Sequence, residues 1–518
     1  MKKRFIRNKK VRYATVAAVL TAMVILVAVL LNVVLSSLVE RYELYTSLTP
    51  TLAFDVTEDC YTVLESDFAD YQTKTGTLPT IEILFCDLED SVKAEGHENY
   101  YLYYTAVALA ERFENIKLKF YDIYVNPTPV KPYTVSTHPL TGEEIVTALN
   151  SSSVIVVCGD YHRVYRWTDF YVFADETSTE PWAYSGERKL SSALMHAIDD
   201  DPRIVCLLTN HGEVFYDYEL LNVLDDAGYT VVYIDLYKDP IPATCDLIIS
   251  YNPNTDLVAD EVSNVSETEI LDAFLSVDGH SFLLFLENGT PSMPNFESYI
   301  KEWGIETEYA KNATTGVSHR YTVQNSAESL TSDGYTIYGH AANSENNRFV
   351  SNENEYVIFG NSTALSVTGE GYIAQQNGTY VNMSGTRTLY PLYRSGEDTL
   401  HWANGQVIDG GSCILMSLTE QKNVTGSSYV GVVSSVNFAT REYLQSAVYD
   451  NSDVLFELFE EIGERKAPTG LTIKPFVSYD ISIITTAQML RWTVALALIP
   501  TTGITAVALL VLIRRRRA

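Results

Sequence analysis

The chain has 518 residues, and 66 acidic against 36 basic side chains give it a formal net charge of −30. This balance excludes nucleic acid as a partner and argues against docking on anionic lipid, because both need positive charge on the protein. Hydrophobic residues make up 46% of the chain, which is typical of folded protein rather than of a disordered stalk.

The first predicted element is a transmembrane helix over residues 13–35, after a basic tail at residues 1–12. The run YATVAAVLTAMVILVAVLLNVVL is uncharged, and a helix of this length reaches about 35 Å, enough to cross the hydrocarbon core. A cleaved signal peptide is the alternative, but its apolar run is usually shorter and no clear A-x-A site follows. We therefore expect an uncleaved anchor.

A second transmembrane helix is predicted over residues 491–513, where only Arg491 at the outer edge is charged. A basic tail with four consecutive arginines follows at residues 514–518. The positive-inside rule places both basic tails in the cytoplasm. The sequence therefore predicts a two-pass protein of the cell membrane with a large extracytoplasmic part between the spans.

A membrane-proximal linker over residues 36–79 leads to a small α/β unit over residues 80–175. The unit contains a β-rich run at residues 80–88, a helix at 99–114, a strand at 116–126 and two strands around a Gly-Asp turn at 153–167. This order looks like a thioredoxin-like fold. It lacks a C-x-x-C pair, so disulfide exchange is not implied.

The most regular pattern lies in a second α/β domain, predicted over residues 190–470. Strands at residues 203–209, 229–236, 245–253 and 280–287 alternate with helices at 216–227, 266–279 and 294–303. Such alternation predicts a doubly wound sheet of parallel strands.

The later part of this domain changes character. Residues 305–435 are rich in Asn, Ser, Thr, Gly and Tyr and predict a β-rich part, whose role the sequence does not indicate. A helix over residues 441–464 and a short strand at 470–476 follow. A membrane-proximal segment over residues 471–490 then leads to the second span.

The six cysteines predict buried free thiols, since Cys86, Cys158 and Cys206 lie inside apolar strand-like runs. One or two disulfides remain open in an exterior compartment. The chain has no C-x-x-C, no zinc spacing of Cys and His and no EF-hand pattern. We therefore expect neither a metal nor a cofactor.

Polar residues follow three neighbouring strands of the predicted parallel sheet. The carboxyl ends of such strands share one edge, where ligands bind in open α/β sheets. The candidate ligand or partner edge consists of Asn210, His211, Glu213, Asp235, Asn252 and Asp256. The alternative is local, because Glu213 can complement a helix dipole and the other residues can cap loops.

The stretch from residue 190 to residue 305 resembles the exterior domain of the GldG family. These proteins are auxiliary membrane subunits of ABC-type transport systems and are associated with gliding motility. The family's T-G-H-G-E run is matched by TNHGE at residues 209–213, with Asn210 in place of glycine. The runs GYTVVYIDL, IPATCDLIISYNPNTDL and DAFLSVDGHSFLLFLE agree as well, whereas residues 305–435 match weakly.

The resemblance implies a class I glutamine amidotransferase-like fold for the second domain. It also implies a non-catalytic auxiliary or substrate-handling subunit of an ABC-type transport complex. The nucleotide-binding pattern G-x-x-x-x-G-K-[ST] is absent, so the ABC ATPase and the multi-span permease would be separate chains.

Catalysis is not expected, because no strand ends in a G-x-C-x-G or G-x-S-x-G turn and Cys206 lies within its strand. Two alternatives stay open. One is an exterior hydrolase or amidase of the same fold. The other is a scaffold that binds a cell-envelope ligand without a transporter.

Overall fold

The computed structural model describes residues 55–476, apart from gaps at 139–140, 176, 200–202, 261–264, 313, 317, 343–346, 352–353 and 464–465. All of these residues belong to one compact unit, Ala53–Ala518. Both predicted transmembrane helices, both basic tails and parts of the two membrane-proximal segments lie outside the described residues. Within the described part, no helix combines the length and the apolar character that a membrane span needs.

The first part of the chain forms a four-stranded sheet covered by helices. Its elements are α1 (Glu58–Thr75), β1 (Ile81–Phe85), α2 (Glu89–Val92), α3 (Tyr100–Arg112), β2 (Ile116–Phe120), β3 (Val135–Thr137), β4 (Glu144–Val146), β5 (Val154–Cys158) and β6 (Tyr161–Tyr165). The strand order is β2-β1-β5-β6, with β2 parallel to β1 and the other neighbours antiparallel. The predicted β-α-β-β-β order is therefore present, with the hairpin β3–β4 as an addition.

Helix α1 lies in the segment assigned to the linker, and it packs Cys60, Leu64 and Phe68 into the core of the first sheet. Thr57 caps its start by accepting the N–H of Cys60, and Gly76 ends it in a left-handed conformation with φ 88°. The linker prediction was therefore wrong for these residues, because three apolar side chains at four-residue spacing are enough to dock the helix.

Two strands and a fully buried helix connect the first sheet to the second. They are β7 (Tyr171–Phe173), β8 (Pro181–Tyr184) and α4 (Gly186–Ile198). Lys189 of α4 donates to Asp225 and Asp226 at 2.6 Å each, and the Nε of Arg188 lies 3.5 Å from Asp226. Arg163 on β6 pairs with the same Asp225. A cluster of buried and half-buried ion pairs therefore joins the first sheet to the second part of the chain.

The second part begins with alternating strands and helices. They are β9 (Arg203–Leu208), α5 (Glu219–Asp226), β10 (Tyr229–Ile234), β11 (Cys245–Tyr251), β12 (Ala259–Asp260), β13 (Val265–Ser266), α6 (Glu267–Leu275), β14 (Ser281–Phe285) and α7 (Pro294–Glu302). Ser266 caps the start of α6, accepting the N–H of Glu269 at 3.3 Å. Helix α5 starts three residues later than predicted, because the Asp217 carboxylate accepts hydrogen bonds from the main-chain N–H groups of Glu219 and Arg441.

The rest of the chain is mostly β-structure. Its elements are β15 (Ile305–Thr307), β16 (Tyr309–Lys311), β17 (Ser318–Arg320), β18 (Thr322–Gln324), β19 (Thr336–Ala341), β20 (Val357–Gly360), β21 (Leu365–Val367), β22 (Tyr372–Ala374), β23 (Tyr380–Asn382), β24 (Arg387–Arg394), β25 (Leu400–Ala403), β26 (Gln406–Gly410), β27 (Ile414–Lys422), β28 (Ser427–Val433), α8 (Arg441–Leu444), α9 (Asn451–Gly463) and β29 (Lys474–Pro475). The prediction that residues 305–435 are β-rich is confirmed.

The second sheet is parallel in one half and antiparallel in the other. Its order is β10-β9-β11-β14-β28-β27-β24-β19-β20, and the first five strands run parallel to their neighbours. From β28 onward the neighbours are antiparallel. Helices α5 and α9 pack on one face of the parallel half, and α6 and α7 pack on the other. The chain is therefore a mixed α/β protein with helices on both faces of the parallel strands.

The predicted helix over residues 441–464 is two helices, α8 and α9. The side chain of Asn451 accepts the N–H of Ile358 at 2.9 Å and donates to its carbonyl at 2.8 Å. This pairing with β20 fixes the start of α9 and ends the continuous helix. All six cysteines are free thiols, buried except for the half-buried Cys158.

The two ends of the described chain meet at Glu187. The Glu187 carboxylate accepts the main-chain N–H of Thr57 at 2.8 Å and pairs with Lys474 of β29. Lys474 also donates to the main-chain carbonyl of Asp55. Strand β29 in turn pairs with β8, so the beginning and the end of the described chain are fixed side by side.

Candidate functional site

The turn after β9 brings His211 between two carboxylates. The Nδ1 of the ring lies 3.2 Å from Glu213 Oε1, and the Nε2 lies 3.0 Å from Glu267 Oε2. The main-chain N–H of His211 also donates to Glu213 Oε2 at 2.9 Å. Burial opposes the charged ring, but the two carboxylates raise the pKa of His211 to about 9. His211 is therefore a buried imidazolium near neutral pH.

This cluster holds three segments together. The carbonyl of His211 accepts the N–H groups of Asn254 and Thr255, at 2.8 and 2.7 Å. Glu267, at the start of α6, also accepts the N–H of Val258 at 2.6 Å. His211 is 1% exposed and Glu267 is fully buried. Their contacts therefore fasten the β9 turn to the β11 loop and to α6.

The backbone of the turn requires small residues. Gly212 has φ 70°, and a Cβ there would lie 3.3 Å from the Cβ of Asn254. Asn210 has φ 78° and is exposed. Both values lie in the left-handed region that glycine and asparagine adopt most readily. Asn210 therefore supplies a left-handed conformation to this turn.

The other three predicted residues lie at the same sheet edge, and each has hydrogen-bond partners there. Asp235 accepts the N–H of Tyr237 at 3.0 Å and pairs with Lys238 at 2.6 Å. Burial opposes its charge, but Lys238 and that N–H keep the pKa of Asp235 below its usual value. Asp256 accepts the N–H groups of Asn295 and Phe296 at the start of α7.

Asn252, which follows β11 with φ 52°, connects this edge to the next strand. Its amide lies 3.4 Å from Glu287 Oε1, beyond the end of β14. Glu287 also accepts the hydroxyl of Tyr216 at 2.6 Å, and its carbonyl accepts Arg320 at 3.4 Å. The edge predicted from sequence therefore continues past β14 into the antiparallel half of the molecule.

A cavity of about 520 Å³ opens at this continuation. Asn288 follows β14, and its main-chain N–H lies 3.4 Å from the carbonyl of Asn361, which follows β20. The lining residues come from several separate segments: Asn288, Asn312, His319, Arg320, Thr322, Tyr335, Asn361, Trp402, Ala403, Asn404 and Gly405. We call it the amide cavity, because four of these residues are asparagines. Ligand cavities typically measure about 300–1,000 Å³.

Sequence patterns did not predict the amide cavity. All of its lining residues except Asn288 lie in the β-rich stretch 305–435, where hydrophobic periodicity identifies strands but not what their loops share. One signal was available. Asn288 lies in the run ENGTP, which ends the fourth strand of the parallel half in the same way that TNHGE ends the first.

The geometry around Cys206 is that of a core residue. Cys206 lies inside β9, three residues before Thr209, and its side chain is fully buried in the core. A thiol nucleophile requires an accessible turn and a base within hydrogen-bond reach. Among the described residues, no group of three or more His, Cys, Asp and Glu side chains is arranged to hold a metal ion.

No protein-family model matches the chain. No curated protein matches it significantly in sequence either.

Proposed function

We propose that the chain is a non-catalytic, membrane-anchored subunit of an ABC-type transport complex, and that its extracytoplasmic part binds a ligand. The observation that carries the ligand-binding role is the amide cavity, which begins at Asn288 beyond the carboxyl end of the parallel strand β14 and extends into the antiparallel half. Open α/β sheets bind ligands at this edge. The charged cluster at His211 stabilises the fold through its internal contacts. We therefore expect the ligand to contact the neutral hydrogen-bonding groups of the amide cavity.

The proposal also includes a specific fold for each of the two α/β units. The order β2-β1-β5-β6, with one parallel pair and two antiparallel neighbours, supports a thioredoxin-like first unit. Five parallel strands with helices on both faces support an amidotransferase-like second unit. The resemblance to the GldG family supports the transport role.

The proposed topology has spans at residues 13–35 and 491–513 and both tails in the cytoplasm, supported by the basic residues that flank the spans. Two helices cannot enclose a transport pathway, so the permease and the ATPase are separate partner chains in this proposal. No nucleic acid or cofactor takes part.

Affinity purification of the full chain from its own membranes in a mild detergent tests the transport role. We expect an ABC ATPase and a multi-span permease to be recovered with it, and not with an unrelated two-pass protein purified in parallel. Recovery of neither partner, while another complex from the same membranes stays intact, would contradict the transport role and favour the scaffold alternative.

The alternative of an exterior hydrolase or amidase is tested by Cys206→Ser. Serine is similar in size to cysteine and fits the same place within β9, so we expect the variant to fold and to keep the wild-type phenotype. A loss of phenotype with normal membrane levels and unchanged thermal unfolding would favour the hydrolase over the proposed function.

A further inference from the structure

We propose that the amide cavity binds a neutral oligosaccharide. This inference rests on the proposed function in one respect, because it names the ligand that the extracytoplasmic part would handle. The residues of the cavity alone form the site, and sugar binding can be measured without a transporter partner.

The lining is free of negative charge. None of its residues, all of which the structure describes, is acidic, although the whole chain carries 66 acidic side chains. Four asparagines supply amide groups instead, and each amide offers two donors and an acceptor oxygen. A sugar hydroxyl donates one hydrogen bond and accepts others, so uncharged amides that both donate and accept suit it.

Two of the amides are available to a ligand. The side chains of Asn288 and Asn361 make no hydrogen bond to any residue that the structure describes, and Asn361 is exposed. Asn404 uses its amide nitrogen on the carbonyl of Ala310 at 3.3 Å, and Asn312 uses its carbonyl oxygen on Thr314 and Thr315. Asn288 and Asn361 are therefore the main candidates for direct contacts.

The backbone holds two of these amides at left-handed positions. Asn361 has φ 50° and Asn404 has φ 53°. Glycine adopts this conformation at a lower cost than any residue with a side chain. Compared with glycine, asparagine at either position adds an amide group to the wall of the cavity.

The positive charge of Arg320 is already engaged inside the protein. Its side chain is 1% exposed, and its Nε donates to the hydroxyl of Tyr309 at 2.6 Å. The same guanidinium donates to Thr290 and lies 3.9 Å from the Glu297 carboxylate. An anionic ligand would therefore find no free arginine, and this favours a neutral ligand over a phosphate or a carboxylate.

Aromatic rings complete the lining. Trp402 and Tyr335 are half-buried in the wall of the cavity. An aromatic ring offers a flat apolar face together with a polar group at its edge. Sugar rings have the matching character, since an apolar face of C–H groups is ringed by hydroxyls. The cavity therefore combines the two kinds of contact that a sugar needs.

Binding is measured on the full chain, in a detergent without a sugar headgroup, by calorimetry and by tryptophan fluorescence. The neutral probes are triacetylchitotriose and maltotriose, and trigalacturonate serves as a charged probe of similar size. We expect at least one neutral trisaccharide to bind, with trigalacturonate about tenfold weaker or more, because the one arginine of this lining is already engaged and cannot pair with its carboxylates. No binding of either neutral probe at millimolar concentrations, or equal binding of trigalacturonate, would overturn the proposal.

Variants connect the signal to the cavity. Asn288→Ala and Asn361→Gly each remove one amide, and Gly keeps the left-handed backbone, so each should raise Kd about fivefold. Asn126→Ala removes an exposed amide from the loop after β2, outside the lining, and should leave Kd unchanged. Unchanged Kd in both cavity variants, with thermal unfolding like that of Asn126→Ala, would overturn the assignment to this cavity.

Trp402→Phe provides an independent readout. It keeps an aromatic ring but removes the indole, so we expect the fluorescence change on binding to disappear while calorimetry still detects a weaker complex. A fluorescence change that persists in this variant would overturn the site. Recovery of the ATPase and permease in the copurification is a separate result, so failure of sugar binding and failure of the transport role can be told apart.

Discussion

His211 is a buried cation because Glu213 and Glu267 together outweigh the cost of burying its charge. The pKa of about 9 in the folded chain lies above the value of about 6.5 that an unfolded histidine has. The folded state therefore binds this proton more tightly. The stability that His211 contributes is complete below about pH 6.5 and is lost as the pH rises through about 9.

Replacing His211 with Gln leaves Glu267 buried without its positive partner. We expect a loss of about 3 kcal/mol in the free energy of unfolding at pH 6, as is typical when one member of a buried ion pair is removed. Chemical unfolding at several pH values measures it, and the difference from the wild type should shrink between pH 6.5 and 9.

The matched control is Asn210→Gly, one residue away. Asn210 is exposed with φ 78°, a conformation that glycine adopts freely. The free energy of unfolding of the Asn210→Gly variant should therefore stay close to that of the wild type. A His211→Gln variant whose deficit is the same at pH 6 and pH 9 would contradict the assignment of a buried imidazolium.

At the scale of elements, helix α4 depends on ion pairs at the end of α5. Lys189 is 10% exposed in its side chain and bonds to both Asp225 and Asp226, and Asp226 is 4% exposed. We expect Lys189→Met to destabilise the chain by about 3 kcal/mol or more, because Asp226 keeps only the longer contact with Arg188. Thermal unfolding measures the loss.

A second substitution separates the charge effect from packing. Asp226→Asn in the Lys189→Met background removes the uncompensated charge and should restore part of the stability. Lys93→Met removes an exposed lysine that pairs with Asp90 and should cause no measurable change, since surface pairs contribute little. A double variant no more stable than Lys189→Met would contradict an electrostatic role for the pair.

Elements with a regular hydrophobic pattern were predictable from sequence, and elements fixed by contacts with distant parts of the chain were not. Strands β9, β10, β11 and β14 are apolar runs, and the order in which they alternate with helices indicated their parallel pairing. Helix α1 was missed because its residues are mostly polar, although Thr57 and Gly76 mark its two ends. The break between α8 and α9 depends on a side-chain bond from Asn451 to Ile358, which no local pattern reveals.

The same distinction applies to the candidate site. The six residues of the predicted edge follow parallel strands, so topology alone placed them at one edge, but their partners were unknown from sequence. Glu267 is 56 residues beyond His211 in the chain. Only the fold shows that its carboxylate contacts the histidine ring, so that His211 stabilises the interior. The amide cavity gathers residues from 288 to 405, and of these the sequence indicated only that Asn288 follows a parallel strand.

At the scale of the whole molecule, charge predicts orientation. The chain is strongly acidic overall, whereas basic residues concentrate at its two ends. A reporter that is active only in the cytoplasm should work at either terminus and fail when inserted in the exposed β26 hairpin near Gly405. Activity at that internal position would contradict the two-pass topology.

The four terminal arginines supply the control for this topology. Changing Arg514 to Arg517 into Gln removes the positive flank of the proposed second span without altering its apolar run. Since Lys and Arg set orientation, we expect a fraction of the variant to lose the cytoplasmic reporter signal at the C-terminus. The same number of substitutions among exposed residues between the spans should leave the signal unchanged.

The meeting of Asp55, Glu187 and Lys474 determines how a load would reach this protein. The first and last described segments of the chain meet at one point, since Thr57 and Lys474 bond to the same Glu187 carboxylate. A pull on either end is therefore borne by this junction and by the short pairing of β29 with β8, and does not stretch the sheets from opposite sides. The described part of the chain therefore carries such a load at one site.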